Sequence, residues 1–221
     1  MGYNVTDIIH GEGNQAMLVH GRGEVCYRGP TTFLGYFKEP EMTAKTIDKD
    51  GWVYTGDIGV WTTDGRLKII DRKKNLFKLS QAEYVAPEKV ENVLQLSPLV
   101  TSAFVYGDSL HDSLVAVVVP DASAIANLAS TMNVKGTIED WCKTPEINEH
   151  VLQDIQRVSE AEGLFGFETV KAIHLEPVPF SIENGLITPT FKLKRHAATK
   201  VYSLEIDAMY APLSNTEFIN K

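Results

Sequence analysis

Three short segments of this 221-residue chain carry side chains that could bind or react with a phosphorylated ligand. The first is Thr55-Gly56-Asp57. An ionised carboxylate only accepts hydrogen bonds, and its two oxygens suit two neighbouring hydroxyl groups such as a ribose diol. The tripeptide is also typical of a turn in which the Asp bonds its own backbone, and taken alone it favours that structural interpretation.

The second segment is the basic stretch Arg72-Lys-Lys-Asn-Leu-Phe-Lys78. A charge cluster of this kind is usually a solvated loop. It also suits an anion such as a nucleotide, because the planar guanidinium of Arg72 matches paired oxygen acceptors and Lys78 can act as a movable point charge.

The third segment, Thr188 to Arg195, presents Lys192 in front of a predicted helix, after a turn bounded by Gly185 and Pro189. An ordinary basic helix start would explain it. A cation at that place opposes the helix dipole, however, and the conflict suggests that Lys192 is placed for use.

The elements that must position these segments are predicted from glycines and hydrophobic periodicity. In the first third, residues 23–29 are predicted to form a strand, residues 43–47 a helical turn, and residues 51–57 a strand that runs into a glycine turn. Asp64-Gly65 between two apolar runs predicts a β-hairpin.

After Asp71 helices and strands alternate, which indicates a compact α+β domain from about residue 74 onward. Strands are predicted over residues 100–106, 114–119 and 169–175, and the second of them, apolar throughout, is expected to be central. Helices are predicted from Pro87, over 121–132 with Asp121 as N-cap, over 139–142, over 147–162 and over 192–204.

The composition excludes several classes of protein. Lys and Arg number 21 against 29 Asp and Glu, so the formal net charge is −8 and no broad basic surface for nucleic acid is expected. Cys26 and Cys142 lack the spacing of a disulfide framework or a zinc site, so we expect a reducing compartment. The longest apolar run, Leu114 to Val119, is far below the ~18 residues of a membrane span, and no signal peptide is expected.

Taken in order, the three segments resemble the late motifs of the adenylate-forming superfamily, and most closely those of eukaryotic long-chain fatty acyl-CoA synthetases. The motifs are Gly51-Trp-Val-Tyr-Thr-Gly-Asp57, Asp71-Arg-Lys-Lys-Asn-Leu-Phe-Lys78 and Thr188-Pro-Thr-Phe-Lys192. Residues 22–30, 83–89, 113–121 and 181–190 support the match, which runs from about residue 1 to about residue 202. Each motif is weak alone, but three in order at family spacing are specific.

The resemblance implies the C-terminal third of a synthetase. Residues 1–73 would be the incomplete, β-rich end of the large adenylating domain. Residues 74–221 would be the mobile C-terminal small domain, an α+β fold with a three-stranded sheet, flanking helices and a β-hairpin. The phosphate loop and the acyl tunnel of the family lie upstream, so we expect this chain to be inactive alone.

For the whole enzyme the resemblance implies that ATP, a long-chain fatty acid and CoA react through an acyl-adenylate to give acyl-CoA, AMP and diphosphate. Mg²⁺ would be bound mainly through ATP and the missing large domain, and no metal site is expected in this chain. We expect a location on the cytoplasmic side, with any peripheral attachment to an organelle membrane made through regions outside this chain.

The resemblance also implies residue roles. Asp57 and Arg72, with Thr55 and Gly56, would bind the ribose hydroxyls. Lys192 would be the lysine of the adenylation step, and Lys74 the hinge about which the small domain rotates. Rotation would replace Lys192 by the residues of the thioester-forming step, which are Lys78, Ser80, Gln81, Ala82 and Glu83.

One departure from the long-chain pattern is Ala82, which stands where the family has Gly. Glycine there would permit a positive φ or the close approach of a ligand, so the alanine is expected to narrow the CoA path or to change the loop. This departure bears on the thioester half-reaction more than on the fold.

Two alternatives stay open at this point: a ligase for short or aromatic acids, and a non-catalytic binding module that kept the fold. We also expect disorder, self-association or a non-native arrangement before Arg72, because the strands there would lack their partners. The aromatic residues that would be left uncovered are Phe33, Tyr36, Phe37, Trp52 and Trp61.

Overall fold

A computed structural model describes residues 2–7 and 22–216, and the chain divides into two compact units, residues 1–76 and residues 77–221. Within the described ranges, none of the helices combines the length and the apolar character that crossing a bilayer requires. The assignment of residues 1–73 and 74–221 to the two domains of a synthetase stays a prediction.

The first unit is a four-stranded antiparallel sheet. Its strands follow the chain in the order β1 (Gly2–Asp7), β2 (Arg22–Arg28), β3 (Val53–Trp61) and β4 (Leu67–Arg72), with helix α1 (Pro40–Thr46) between β2 and β3. The predicted hairpin is confirmed, because β3 pairs with β4 through a turn that contains Gly65 at φ +78°. Disorder, self-association or a non-native arrangement was expected before Arg72 and stays a prediction; the structure describes residues 2–7 and 22–71 as strands, a helix and their connections, and residues 8–21 lie outside the described part.

The glycine turn predicted after residues 51–57 is wrong. Strand β3 continues to Trp61, and Gly56, at φ +72°, lies in a bulge between the pairs Cys26↔Tyr54 and Glu24↔Ile58. The strand does not turn away at the glycine because groups distant in sequence bind its backbone. The N–H of Gly56 donates to the Glu24 carboxylate at 3.1 Å, and its carbonyl accepts the N–H of Lys73 at 2.7 Å.

The second unit is built around a three-stranded sheet, which confirms the predicted α+β architecture. Strand β8 (Leu114–Pro120) lies in the centre, antiparallel to β7 (Val100–Tyr106) and parallel to β9 (Val170–Leu175). A separate two-stranded ribbon joins β5 (Phe77–Lys78) to β6 (Tyr84–Val85). The helices are α2 (Pro87–Leu94), α3 (Ala122–Thr131), α4 (Ile138–Trp141), α5 (Pro145–Ala161), α6 (Arg195–Val201) and α7 (Ser203–Thr216), with a 3₁₀ turn at Gly166–Glu168.

Both faces of the central strand are buried, as its uninterrupted apolar sequence predicts. Successive side chains of a strand point to opposite faces, so β8 contributes to two cores. Leu114, Ala116 and Val118 join the first core, with apolar residues of α2, α3 and α5. Val115, Val117 and Val119 join the second core, with residues of α6 and α7 and of the loop over 176–194.

The predicted start of α3 is confirmed, whereas the predicted start of the helix near the end of the chain is wrong. Asp121 caps α3 as predicted, accepting hydrogen bonds from the N–H groups of Ser123 and Ala124. The helix predicted over 192–204 instead begins at Arg195. An isolated β-bridge between Ile187 and Leu193 holds residues 188–192 in a tight turn, and a second helix, α7, follows α6.

Truncation of Leu94 tests the first core. Leu94 is 0% exposed, so Leu94→Ala should lower the free energy of unfolding by about 2–5 kcal/mol through lost contacts and the cavity left behind. Leu204, at 78% exposure, is the matched control, and Leu204→Ala should change it by less than about 0.5 kcal/mol. Urea denaturation followed by circular dichroism measures both, and equal losses in the two variants would contradict this packing.

Candidate functional site

Asp57 and Arg72 lie opposite each other on β3 and β4, so the sheet brings together two residues that are 15 positions apart in sequence. Their side chains form an ion pair with 2.8 Å between Arg72 Nε and Asp57 Oδ1. The Asp57 N–H donates to the hydroxyl of Thr55 at 3.0 Å. The carboxylate therefore faces a guanidinium, and the arrangement presents paired acceptors and donors at a partly exposed edge of the sheet.

The bulge that carries Thr55 and Gly56 is held by β2. The hydroxyl of Thr55 donates to the carbonyl of Val25 at 2.8 Å. The buried Glu24 carboxylate accepts the N–H of Gly56 through one oxygen and the ammonium of Lys73 through the other, the latter at 2.8 Å. Sequence reasoning missed Glu24, although a carboxylate in a short alternating strand between glycines was an available signal.

Lys74, the predicted hinge, lies in an exposed turn two residues before the boundary between the units. The buried Asp71 organises this turn: its Oδ1 accepts the N–H of Arg72 at 2.6 Å and the side-chain amide of Asn75 at 3.0 Å. These two hydrogen bonds hold the start of the turn against the end of β4.

Lys78 is an exposed residue of the ribbon in the second unit. It pairs with Tyr84, and its ammonium lies 5.7 Å from the centroid of the Tyr84 ring. Its neighbours Phe77 and Leu79 pack with the first core. Gly107 makes room for them, since a Cβ there would come within 2.7 Å of Phe77 Cε2 and 3.1 Å of Leu79 Cδ2.

The predicted CoA-site residues Ser80, Gln81, Ala82 and Glu83 form a tight loop closed by a bond from the Leu79 N–H to the Glu83 carbonyl at 2.9 Å. Ala82 has a φ of +70°, the left-handed region that favours glycine. Ala82 therefore adopts the kind of φ that a glycine would permit, and the expected narrowing of the CoA path or change of the loop stays a prediction.

A second loop, residues 107–113, supports the Ser80–Glu83 loop. The carbonyl of His111 accepts the N–H of Ser80 at 2.9 Å, and the carbonyl of Asp112 accepts the side-chain amide of Gln81 at 2.8 Å. Sequence reasoning found no role for His111, because a backbone carbonyl leaves no trace in residue type.

The His111 side chain fixes that supporting loop. Its Nδ1 lies 2.8 Å from Asp108 Oδ1, and its ring stacks on Tyr210 of α7 at 3.6 Å. Burial acts to raise the pKa of Asp108, but hydrogen bonds from His111, from the Leu110 N–H and from Tyr106 outweigh it and lower the pKa. Burial and the Asp108 charge raise the pKa of Tyr106 to about 12.

Lys192 lies in a tight exposed turn between Ile187 and Leu193. Its N–H donates to the hydroxyl of Thr188 at 3.0 Å, and its carbonyl accepts the Thr188 N–H at 2.8 Å. Ile187 and Leu193 pack with the second core. The segments that carry Lys192 and Lys78 are thus anchored to opposite faces of the three-stranded sheet.

Chemically, the candidate residues offer the carboxylate–guanidinium pair of Asp57 and Arg72 in the first unit and the exposed ammonium groups of Lys78 and Lys192 in the second. Such groups bind hydroxyls and stabilise negative charge on phosphate or carboxylate oxygens. Over residues 2–7 and 22–216 there is no group of three or more His, Cys, Asp or Glu side chains placed to hold a metal ion.

The fold is that of the adenylation domains of adenylate-forming enzymes. No protein-family model matches the chain. A solved adenylation domain of carboxylic acid reductase from Segniliparus rugosus, in complex with AMP and a co-purified carboxylic acid, superposes with a TM-score of 0.81 at 31% identity. The match covers 96% of this chain and 32% of that one.

The sequence is homologous to long-chain-fatty-acid–CoA ligases, which confirms the resemblance. Ligase 5 of Mus musculus is 48% identical over 192 residues, 87% of this chain and 28% of its own length. Ligase 1 of Homo sapiens is 44% identical over 213 residues, 96% of this chain and 30% of its own length. The chain therefore spans less than a third of the curated relatives that it matches.

The positive φ of Ala82 predicts that glycine fits better. Ala82→Gly should raise the free energy of unfolding by about 0.5–1 kcal/mol, because the relieved backbone strain exceeds the added chain entropy of the unfolded state. Ala126→Gly, in the interior of α3, is the control and should lower it by about 1 kcal/mol. Denaturant titration measures the free energy of unfolding of both variants. A lower value for Ala82→Gly than for wild type would contradict backbone strain at Ala82.

Proposed function

We propose that this chain is the C-terminal part of a long-chain fatty acid–CoA ligase that forms acyl-CoA through an acyl-adenylate. The observation that carries the proposal is the anchoring of the Lys78 and Lys192 segments to opposite cores of one sheet. A unit built in this way can present one lysine or the other to a single nucleotide site. The relatives favour long-chain acids over the short or aromatic acids that the residues alone left open.

In this proposal Asp57 and Arg72 bind the ribose of ATP and later of AMP. The carboxylate accepts hydrogen bonds from the two hydroxyls, and the guanidinium donates to ribose oxygens. The partly exposed ion pair and the bulge at Thr55 and Gly56 support this assignment. The AMP bound to the similar adenylation domain of carboxylic acid reductase supports it further.

Lys192 serves the first half-reaction. An oxygen of the fatty carboxylate attacks the α-phosphorus of ATP, and the bond to the leaving diphosphate breaks. Negative charge is spread over the attacking and leaving oxygens, and an ammonium placed beside them lowers the barrier. The exposure of Lys192 on a tight, hydrogen-bonded turn suits that task.

Mg²⁺ would neutralise charge on the phosphates of ATP when bound. The described residues lack a cluster of metal ligands, so we propose that the ion arrives with ATP and finds its protein ligands in regions outside this chain.

Lys78 and the Ser80–Glu83 loop serve the second half-reaction. The thiolate of CoA attacks the acyl carbonyl, the bond between that carbon and the phosphate oxygen breaks, and AMP leaves with the electron pair. The small domain, residues 74–221, would rotate about the turn at Lys74 between the two steps. The position of Lys74 two residues before the boundary of the units supports a pivot there. Placement on the cytoplasmic side, with any membrane attachment made outside this chain, belongs to the same proposal.

The two lysines predict opposite defects in the full-length protein. Lys192→Ala should slow acyl-adenylate formation about 10²-fold, while thioester formation from supplied acyl-adenylate stays near normal. Lys78→Ala should show the reverse. Diphosphate exchange and acyl-CoA release measure the two steps separately, and Lys200→Ala on the exposed surface of α6 is the control. Equal loss of both steps in both variants would contradict the assigned roles.

The exposed apolar residues of the first unit support a further part of the proposal, that the rest of the full-length protein covers them. Leu34 is 100% and Phe37 86% exposed, and Phe33 and Tyr36 lie beside them. Four large apolar or aromatic residues exposed within five positions are typical of an interface.

The chain expressed alone should therefore self-associate. Light scattering after gel filtration should give a mass that rises with concentration, and the double variant Leu34→Ser, Phe37→Ser should shift it toward the monomer. Leu204→Ser, which removes an exposed leucine of the second unit, is the matched control and should leave the mass unchanged. A monomeric chain at all concentrations would refute the idea.

A further inference from the structure

A buried ion pair joins two helices that are distant in sequence. Glu91 lies in α2 and Arg195 is the first residue of α6. The guanidinium binds both carboxylate oxygens, with 2.9 Å from Nη1 to Oε1 and 2.5 Å from Nη2 to Oε2. Both side chains are largely withdrawn from solvent. The cost of desolvating two charges offsets most of their attraction, so a buried pair of this kind adds little net stability and is better explained by a role in positioning.

The Glu91–Arg195 ion pair lies beside one edge of the three-stranded sheet. Strand β7 is an edge strand, and the N–H of Val105 donates to Glu91 Oε1 at 2.8 Å. Helix α2 packs in the first core through Val90, and α6 packs in the second core through Ala198. The ion pair therefore connects the two faces of the sheet outside the strands.

Each end of the pair lies close to one of the two lysine segments. Helix α2 begins at Pro87, and only Ala86 separates it from β6, the strand that pairs with Lys78. Helix α6 begins at Arg195, three residues after Lys192. The carboxylate–guanidinium contact thus joins the two helices that follow the two lysine segments.

We propose that Glu91 and Arg195 are positioning residues that hold the Lys78 and Lys192 segments in one fixed relation. The inference rests on the proposed function and deepens it. If one rigid body rotates between the two steps, each lysine must reach the nucleotide site in the correct position. A misplacement of about 1 Å can lower the rate about 10²-fold. Neither residue touches substrate in this proposal; both act through the lysine segments.

The double variant Glu91→Gln, Arg195→Met tests the proposal without leaving an unpaired buried charge. Gln keeps an acceptor for the Val105 N–H, and Met fills much of the volume of the arginine stem. In the full-length protein, both half-reactions should fall at least about ten-fold, with KM for ATP within about two-fold of wild type, because Asp57 and Arg72 are untouched. Arg195→Lys, which keeps the charge but loses the fork, should be intermediate.

Arg157→Met is the matched control, because it breaks the exposed ion pair with Asp154 in the same unit, and it should leave both rates unchanged. Near-normal rates of both half-reactions in a folded double variant would overturn the proposal. A loss confined to adenylation would overturn it as well, since the pair would then serve Lys192 alone. If the double variant does not fold, Arg195→Lys is judged by the same criteria.

Hydrogen exchange separates failure of this inference from failure of the proposed function. In the chain itself, the double variant should exchange faster than wild type over both 77–86 and 186–194, with no change in the β3–β4 hairpin. Faster exchange in both segments supports the coupling whatever the reaction proves to be. Unchanged exchange in either segment refutes it, even if Lys192→Ala and Lys78→Ala behave as expected.

Discussion

The second unit depends on the burial of both faces of one seven-residue strand, β8. A strand that is apolar on both sides needs cover on both sides, so the chain must build two cores and send segments to each. The ribbon with Lys78 is tied to one core and the turn with Lys192 to the other. The separation of the two lysines is therefore a consequence of hydrophobic packing. A reaction that used the two lysines one after the other would depend on that separation.

Polar contacts set the details that packing leaves open. In the first unit the Glu24 carboxylate holds the bulge at Gly56, and in the second the carbonyl of His111 holds the loop that contains Ala82. Each contact shapes a candidate binding residue from a strand or loop that lies elsewhere in sequence. Glu24 is buried and the His111 ring is packed on Tyr210, while Lys78 and Lys192 remain exposed.

Patterns of neighbouring residues predicted much of the fold, and the predictions that were wrong were overridden by contacts that these patterns do not contain. The Asp64-Gly65 hairpin, the cap at Asp121 and the central strand depend on residues close in sequence, and all three are confirmed. The glycine turn at the end of residues 51–57 and the helix start at Lys192 were wrong, because a distant carboxylate and a local bridge overrode the propensities. The positive φ of Ala82 could be anticipated only through the family's glycine.

By itself the sequence determined the class of fold, the order of the elements and the three segments that carry the candidate chemistry, since periodicity, capping and motif spacing are written in neighbouring residues. The resemblance implied one ribose site for Asp57 and Arg72 and opposite faces for the two lysines. Only the tertiary structure supplied the contacts: the ion pair of Asp57 with Arg72, the two cores that hold the lysine segments, and the pair of Glu91 with Arg195 around an edge of the sheet. These contacts join residues up to 104 positions apart. They form only when strand register and helix packing bring the partners together, and no local pattern encodes that distance.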